Sequence, residues 1–294
     1  MASSINALFL GAPDIVSMGI ARGWLLAGHN IAAIWYPQRL IGTTAFKRDR
    51  ILASTAPGVS MHGISARSNI LSRATPLLSK WPELLAEVER LNPDVVISAM
   101  FLDKIPEALL GAYPNRVVNL HPSILPAYRG AAPIFNMLMD RTINEHSGMT
   151  LHLVSAQFDK GDMIGRTKVA FPPDNNLSAY YMYLVKAGAA LLTDQLPEFL
   201  AGRLTAQPQS YDLAPQGVQS PRDARLTLRH SAEHAAWLCT VIPQMTPLRI
   251  EGLGDNIHVK RFLNKNGAPS GAPPVVDGNI VSLDVKDARI SVEV

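Results

Sequence analysis

Three polar residues of this chain could together move an acyl group onto an amine: Asn119, His121 and Asp159. Acyl transfer needs a hydrogen-bond donor for the oxyanion that forms on the acyl carbon, and it needs groups that move protons. An amide donates hydrogen bonds, and an imidazole gains or loses a proton near neutral pH. A carboxylate beside the imidazole can orient the ring and raise its pKa. These three side chains are therefore the candidate catalytic set.

The spacing of Asn119 and His121 suits this role. Both lie in the apolar run Val117–His121, which predicts a buried strand that ends before Pro122. Because side chains alternate across a strand, positions 119 and 121 point to the same side. In an open parallel sheet both would emerge at the carboxyl end of the strand, where such sheets bind ligands. Asp159 follows another apolar run, residues 149–154, and lies in a predicted turn.

The remainder of residues 1–202 predicts elements that could position the candidate set. Residues 5–10 and 31–35 predict two strands joined by a helix, which is the usual start of a parallel sheet. Residues 36–75 are rich in Ser, Thr and Gly and predict a loop-rich region. Beyond them, we predict helices and strands in alternation: a helix over 81–91, a strand over 94–100, a helical turn over 106–110, a strand over 117–121, a helix over 133–140, a strand over 149–154 and a long helix over 177–200.

The last third of the chain differs in composition. Residues 203–222 are rich in Gly, Pro, Gln and Ser and predict a linker of about twenty residues, a length at which structureless segments usually join domains. Beyond it, a short helix over 231–240 and short strands separated by Gly, Asp and Asn turns predict a small β-barrel. The expected organisation is a catalytic domain over 1–202, a linker over 203–222 and a C-terminal β domain over 223–294.

In three separated blocks the chain resembles the folate-dependent formyltransferases: residues 119–126 (NLHPSILP), residues 129–133 (RGAAP) and Asp159. The resemblance implies an α/β fold, in which a Rossmann-like parallel-sheet formyltransferase domain precedes a small OB-like β-barrel domain. It implies N10-formyltetrahydrofolate as formyl donor and co-substrate, a primary amine as acceptor, and no metal. It also implies that Asn119, His121 and Asp159 are the catalytic trio.

The resemblance extends to residues around the trio. Ser123 and His152 are candidate supporting residues, with a turn hydroxyl and a half-buried strand histidine as the alternatives. Arg129, Lys47 and Arg48 are expected to bind the acceptor, because their cations suit phosphate groups. The alternatives are a surface ion pair for Arg129 and a solvated charged surface for Lys47 and Arg48. Folate is expected between the loop after the central strand and the loop before Asp159, against Met100, Phe101, Leu102, Asp103, Lys104, Ala156, Gln157 and Phe158.

The acceptor stays open between two main classes. Methionyl-tRNA is favoured by residues 129–133, by the C-terminal β domain and by the basic run over 47–50. A nucleotide-linked amino sugar is favoured by His152 and by the weak charge of residues 203–294, where ten Lys/Arg face nine Asp/Glu. Methionyl-tRNA is our first choice. A formyltetrahydrofolate hydrolase, with water as acceptor, and a non-catalytic folate or nucleotide binder are further alternatives.

Composition sets outer bounds on these alternatives. The net charge of +3 permits a polyanionic partner but does not require one. The single cysteine, Cys239, excludes an internal disulfide and fits a reducing compartment. The apolar run near the N-terminus lacks the basic segment of a secretory signal, and no apolar run reaches the ~20 residues that span a bilayer. We therefore expect a cytoplasmic enzyme without a membrane partner, and the sequence does not fix its oligomeric state.

Overall fold

The computed structural model describes residues 4–75, 81–210 and 224–294. Within these ranges the first two thirds of the chain forms a seven-stranded sheet of order β3-β2-β1-β4-β5-β6-β7. Its strands are β1 (Asn6–Gly11), β2 (Asn30–Pro37), β3 (Leu71–Thr75), β4 (Val95–Ala99), β5 (Val117–His121), β6 (Gly148–Leu153) and β7 (Met163–Lys168). The strands from β3 to β5 in this order run parallel, which confirms the predicted Rossmann-like sheet.

The sheet changes direction at β5. Strands β6 and β7 run antiparallel to their neighbours. Strand β5 therefore has a parallel partner, β4, on one edge and an antiparallel partner, β6, on the other. The sequence predicted β6 as a strand, but β7 was not predicted. β7 is an edge strand that carries exposed Arg166 and Lys168, and its polar alternation lacks the apolar run that marks the central strands.

Helices cover both faces of the sheet. Helix α1 (Ile15–Leu26) begins after Asp14, whose carboxylate accepts hydrogen bonds from the N–H groups of Val16 and Ser17. Helix α1 packs so closely on α8 (Leu177–Ala190) that a Cβ added to Gly23 would lie 2.6 Å from the Ala189 Cβ. The helices of this part are α1 (Ile15–Leu26), α2 (Thr44–Thr55), α3 (Met61–Ser68), α4 (Pro82–Leu91), α5 (Glu107–Ala112), α6 (Pro133–Met139), α7 (Ile143–His146), α8 (Leu177–Ala190) and α9 (Leu196–Leu200).

The prediction of a loop-rich region over 36–75 was wrong, because this region forms α2, α3 and β3. Two of its Ser and Thr residues cap these helices: Thr43 accepts from the Phe46 N–H, and Ser60 accepts from the Gly63 N–H. Asp49 of α2 is buried and accepts a hydrogen bond from the Met61 N–H at 2.7 Å. This long-range contact fixes α3 against α2, and sequence composition does not reveal it.

The C-terminal part consists of a helix and two small sheets. The helix is α10 (Ala232–Val241), and the sheets have the orders β10-β9-β8 and β11-β14-β13-β12. Their strands are β8 (Arg225–Leu226), β9 (Leu248–Ile250), β10 (His258–Val259), β11 (Arg261–Lys265), β12 (Val275–Asp277), β13 (Ile280–Val285) and β14 (Ala288–Glu293). Among the described residues, none of the helices combines the length and apolar character of a membrane span.

Helix α10 joins this part to the larger sheet. The Trp237 indole N–H donates to the Leu138 carbonyl at 3.0 Å, and the His234 Nε2 lies 2.9 Å from the Met139 carbonyl. Both carbonyls belong to the last turn of α6, where carbonyls lack donors from within the helix; the Leu138 carbonyl also accepts from the Arg141 N–H. Buried residues of the two parts form one continuous apolar core.

The beginning of the predicted linker packs on the large sheet. The Gln207 N–H donates to the Met163 carbonyl at 2.8 Å, and the Met163 N–H donates to the Gln207 carbonyl at 2.7 Å. This pair extends the sheet beyond β7. The rest of the predicted linker, from residue 211, lies outside the described residues.

Candidate active site

Asn119, His121 and Asp159 converge at the carboxyl end of β5. The Asn119 Nδ2 lies 3.4 Å from the Asp159 Oδ1, and the His121 Nδ1 lies 3.5 Å from the Asp159 Oδ2. Asn119 and His121 therefore point to the same side of β5, and one carboxylate contacts both of them. Asn119 is half-buried, whereas His121 is buried.

His152 completes this polar cluster from the neighbouring strand. It lies directly opposite Asn119 in the antiparallel register of β5 and β6. Its Nε2 is 3.1 Å from the Asn119 Nδ2, and its Nδ1 is 2.8 Å from the Leu153 carbonyl. Since a carbonyl only accepts hydrogen bonds, Nδ1 carries a proton, and in the neutral ring Nε2 accepts from the amide. The Asn119 nitrogen then lies between two acceptors, which fixes the orientation of its amide.

The environment of His121 opposes its positive charge. The Nε2 of His121 donates to the Tyr128 carbonyl at 2.9 Å, and its other nitrogen faces Asp159. Burial lowers the pKa of His121, and the charge of His152 adds to that shift, while the charge of Asp159 and the Tyr128 carbonyl oppose it. The sequence led us to expect a raised pKa. The carboxylate does act in that direction, but the burial of the ring outweighs it.

Asp159 keeps its negative charge. Burial alone would raise its pKa, but the charges of His121 and His152 and a hydrogen bond from the Gly130 N–H hold the pKa well below its usual range. That N–H lies 2.8 Å from Oδ2. The backbone of Asp159 itself has a left-handed conformation, with φ of 51°, which is uncommon for a residue other than glycine. Through the Gly130 N–H, the segment of residues 129–133 supplies a backbone donor to the Asp159 carboxylate.

Ser123 lies in the turn after β5. Its buried hydroxyl donates to the Ala127 carbonyl at 2.7 Å, and its own carbonyl accepts from the Thr150 hydroxyl at 2.7 Å. Neither contact involves Asn119, His121 or Asp159. The geometry therefore gives Ser123 the turn-stabilising contacts that were the alternative to a supporting role.

A cavity opens beside the polar cluster, on the side of Asn119 and Asp159. Met100, Leu102 and Gln157 of the expected folate-binding set do not line it. Arg39, which was not predicted, forms an ion pair with Asp103 at 2.6 Å. Phe158 is 51% exposed, which is high for a large apolar residue beside a cavity. The lining residues are Ser98, Phe101, Asp103, Lys104, Ile105, Asn119, His152, Val154, Ser155, Ala156, Phe158 and Asp159.

Four of the lining residues were not predicted: Ser98, Ile105, Val154 and Ser155. Each is close in sequence to an expected residue, at the end of β4 or β6 or in the loop that follows. Their proximity to predicted positions was the available signal. No group of three His, Cys, Asp or Glu residues suited to a metal ion occurs in the part of the chain that the structure describes.

The expected acceptor-binding residues lie apart from the cavity lining. Lys47 and Arg48 are exposed on α2, which follows β2. In the sheet order, β1 and β4 separate β2 from β5. Arg129 is half-buried next to Gly130, whose N–H contacts Asp159. Arg129 is thus adjacent to the cluster, whereas Lys47 and Arg48 belong to the opposite half of the sheet.

Residues 45–196 match the family model described as formyl transferase. This chain belongs to the formyl transferase family. Its relatives include the methionyl-tRNA formyltransferase of Halalkalibacterium halodurans, 32% identical over 71% of this chain and 62% of the relative. The methionyl-tRNA formyltransferase of Listeria monocytogenes is 30% identical over 69% of this chain and 61% of the relative. The chain thus spans less than two thirds of the length of these formyl transferases.

Solved structures of formyl transferases share the fold. WlaRD, a sugar 3N-formyl transferase crystallised with dTDP and 5-N-formyl-THF, gives a TM-score of 0.65 at 15% identity over 99% of this chain and 97% of its own. The N-formyltransferase of Helicobacter canadensis, in complex with folinic acid and dTDP-3-aminofucose, gives 0.64 at 12% identity over 99% of both chains. The likeness therefore includes the C-terminal part of this family member.

Proposed function

We propose that this protein transfers the formyl group of N10-formyltetrahydrofolate to a primary amine, with methionyl-tRNA as the first acceptor to test. The observation that carries the proposal is the convergence of Asn119, His121 and Asp159 beside a cavity. Because the chain belongs to the formyl transferase family, formyl transfer is the reaction that we propose for this geometry. The cavity lining combines apolar side chains with a few polar ones, as organic ligands require.

The trio can divide the chemistry of formyl transfer among its members. The bond from the amine nitrogen to the formyl carbon forms, and the bond from that carbon to N10 of the folate breaks. The Asn119 N–H that faces Asp159 Oδ1 at the long distance of 3.4 Å is available to the oxyanion, a contact typically worth about 3 kcal/mol. Asp159 can orient a water molecule that takes the amine proton, and the Nδ1 of His121, which faces the carboxylate, can receive that proton and supply it to N10.

His152 and the folate-binding residues complete the proposed site. His152 holds the Asn119 amide from β6. Phe101, Asp103, Lys104, Ala156 and Phe158 line the cavity that would take the folate. Met100, Leu102 and Gln157, from the same two loops, would bind it through their backbone groups. Ser123 would act only through the turn that it stabilises.

Methionyl-tRNA ranks first among acceptors because the relatives at 30% identity and above carry that name. The exposed cations Lys47, Arg48 and Arg50 on α2 could bind tRNA phosphates. A nucleotide-linked amino sugar is the second candidate, because sugar N-formyltransferases resemble this chain over 99% of its length. Arg129 would bind an anionic group of either acceptor.

The organisation of the chain belongs to the same proposal. We assign catalysis to residues 1–202, a connecting role to residues 203–222 and a supporting role to residues 223–294. The last of these, with its helix and two small sheets, is proposed to be an OB-like barrel that binds part of the acceptor. A cytoplasmic location fits the single cysteine, whose buried thiol has its pKa raised to about 12 by desolvation.

Formyl transfer from a labelled donor to methionyl-tRNA and to a dTDP-linked amino sugar would test the proposal. If tRNA is the acceptor, its binding should weaken steeply with salt, because each phosphate contact releases counterions. Replacing Lys47, Arg48 and Arg50 together with Ala should flatten that salt dependence. The matched control replaces Lys168, Lys186 and Lys286, which are exposed elsewhere, and should leave the slope unchanged.

Two outcomes would replace methionyl-tRNA as the proposed acceptor, and a third would contradict catalysis. Transfer to the sugar with no detectable tRNA binding would select the nucleotide-linked amino sugar. Release of formate at the same rate with and without an amine would select the hydrolase. Donor binding without turnover of any kind would contradict an enzymatic role.

A further inference from the structure

We propose that Gln209 is a positioning residue for the proposed formyl transfer, because it fixes the backbone of the loop that carries Asp159. Gln209 lies after the catalytic sheet, in the segment predicted as a linker. It is only 7% exposed, whereas its neighbours Pro208 and Ser210 are exposed. A buried glutamine between exposed residues indicates a specific partner inside the molecule.

That partner is the Asp159 loop. The Gln209 Nε2 donates to the Asp159 carbonyl at 2.9 Å and to the Gly161 carbonyl at 2.7 Å. Both partners are carbonyl oxygens, which only accept, so the amide nitrogen must face them and the orientation of the side chain is fixed. One side chain thus holds the backbone of the loop on both sides of Lys160.

The loop needs such support because its shape is strained and closely packed. Asp159 has a φ of 51°, a conformation that costs free energy unless the surroundings impose it. On the other side of the loop, a Cβ added to Gly161 would lie 1.8 Å from the Leu153 carbonyl. The loop is therefore pressed against β6 on one side and held by Gln209 on the other.

The position of Gln209 is itself fixed by the sheet. Two residues earlier, Gln207 exchanges both backbone hydrogen bonds with Met163 at the start of β7. The side chain of Gln207 is exposed, and its one hydrogen bond within the described ranges goes to the Thr205 carbonyl, at 3.3 Å. Gln207 thus pairs with the edge of the sheet like a strand residue, and the buried side chain of Gln209 then reaches the Asp159 loop. Gln207 offers a matched control, because it shares the segment but not the contact.

The expected consequence is a loss of turnover rather than of binding. Gln209→Met keeps the size of the side chain and removes both hydrogen bonds. The Asp159 carboxylate would then lose its fixed distance to His121 and Asn119, and a displacement of about 1 Å can cost about 100-fold in rate. We expect kcat to fall by about 10- to 100-fold with the KM of the folate donor close to that of the wild type. Gln207→Met should match the wild type in both constants.

A second readout does not depend on the acceptor. His121 faces Asp159, His152 and the Tyr128 carbonyl, and the carboxylate is the anionic group among them. If the loop moves, the raising effect of Asp159 weakens, and the titration of the His121 ring by NMR should move to lower pH in Gln209→Met. A role in stability alone would lower the melting temperature without moving this titration.

The two readouts separate the two proposals. Failure of the wild type to transfer formyl groups would contradict the proposed function, and the NMR titration would still decide the role of Gln209. Wild-type turnover and an unchanged His121 titration in folded Gln209→Met would overturn the positioning role, as would equal losses in Gln207→Met. If Gln209→Met folds poorly, Gln209→Asn keeps the amide at a shorter reach and should give an intermediate kcat and titration.

Discussion

At the scale of single residues, Asp159 connects the candidate catalytic groups. Its carboxylate contacts Asn119, His121 and His152, and it accepts the Gly130 N–H. Asp159→Asn keeps the shape of the side chain but removes the charge that these contacts share. We expect formyl transfer to fall by about 100-fold or more, with a melting temperature close to that of the wild type. Near-normal turnover in a folded variant would remove Asp159 from the mechanism.

His121 should make the protein sensitive to mild acid. Its pKa in the folded state is lower than its ordinary value of 6.5, because the ring is buried. Below pH 6.5 the unfolded chain binds a proton that the folded protein binds only at lower pH, so the free energy of unfolding decreases as pH falls. His121→Asn should remove part of this decrease. Melting temperatures of both proteins at pH values above and below 6.5 would measure it, and equal decreases would contradict the assignment.

Part of the site could be predicted at this scale. Asn119 and His121 share a strand face, and strand parity is a local property that the sequence carries. The contacts of Gly130 and Gln209 with the Asp159 loop join residues 29 and 50 positions apart. Such contacts depend on how the segments are packed, and no local pattern reports them. The predicted rise in the His121 pKa was wrong for the same reason, because the burial that lowers this pKa is a property of the packed structure.

At the scale of elements, the loop between β6 and β7 depends on a glycine. Gly161→Ala would bring a Cβ within 1.8 Å of the Leu153 carbonyl, so the loop must shift away from β6. We expect a loss of about 1–3 kcal/mol in the free energy of unfolding and a marked loss of turnover. Gly111→Ala is the control, because nothing lies within 4 Å of its added Cβ. Denaturant unfolding and steady-state assays would compare the two, and equal effects would contradict the role of the loop.

The strengths and failures of element prediction have physical causes. The buried strands β1, β4 and β5 are continuous apolar runs, and they were predicted close to their observed ends. Helices α2 and α3 were missed because neither carries a long apolar stripe: the buried residue of α2 is Asp49, and α3 is only eight residues long. The direction of β6 was not predicted, since the residues of a strand do not encode which way its neighbour runs.

At the scale of the whole molecule, α10 attaches the C-terminal part to α6. Trp237→Phe removes the hydrogen bond to the Leu138 carbonyl while keeping most of the apolar contact. We expect a loss of about 1–2 kcal/mol in the free energy of unfolding, within a single transition, because the two parts share one core. Tyr183→Phe, at an exposed position, is the control. Two separate calorimetric transitions in the wild type would contradict the shared core.

The order of the sheet has a consequence for the size of the acceptor. The basic residues of α2 follow β2, whereas the candidate catalytic residues Asn119 and His121 lie on β5, and β1 and β4 lie between β2 and β5. Three strand spacings amount to about 14 Å. If the proposed acceptor spans from the end of β5 to the end of β2, it should therefore be an extended molecule, with its amine at one end and its anionic group at the other. A free amino acid is shorter than this span. The basic residues of α2 should therefore contribute nothing to its turnover.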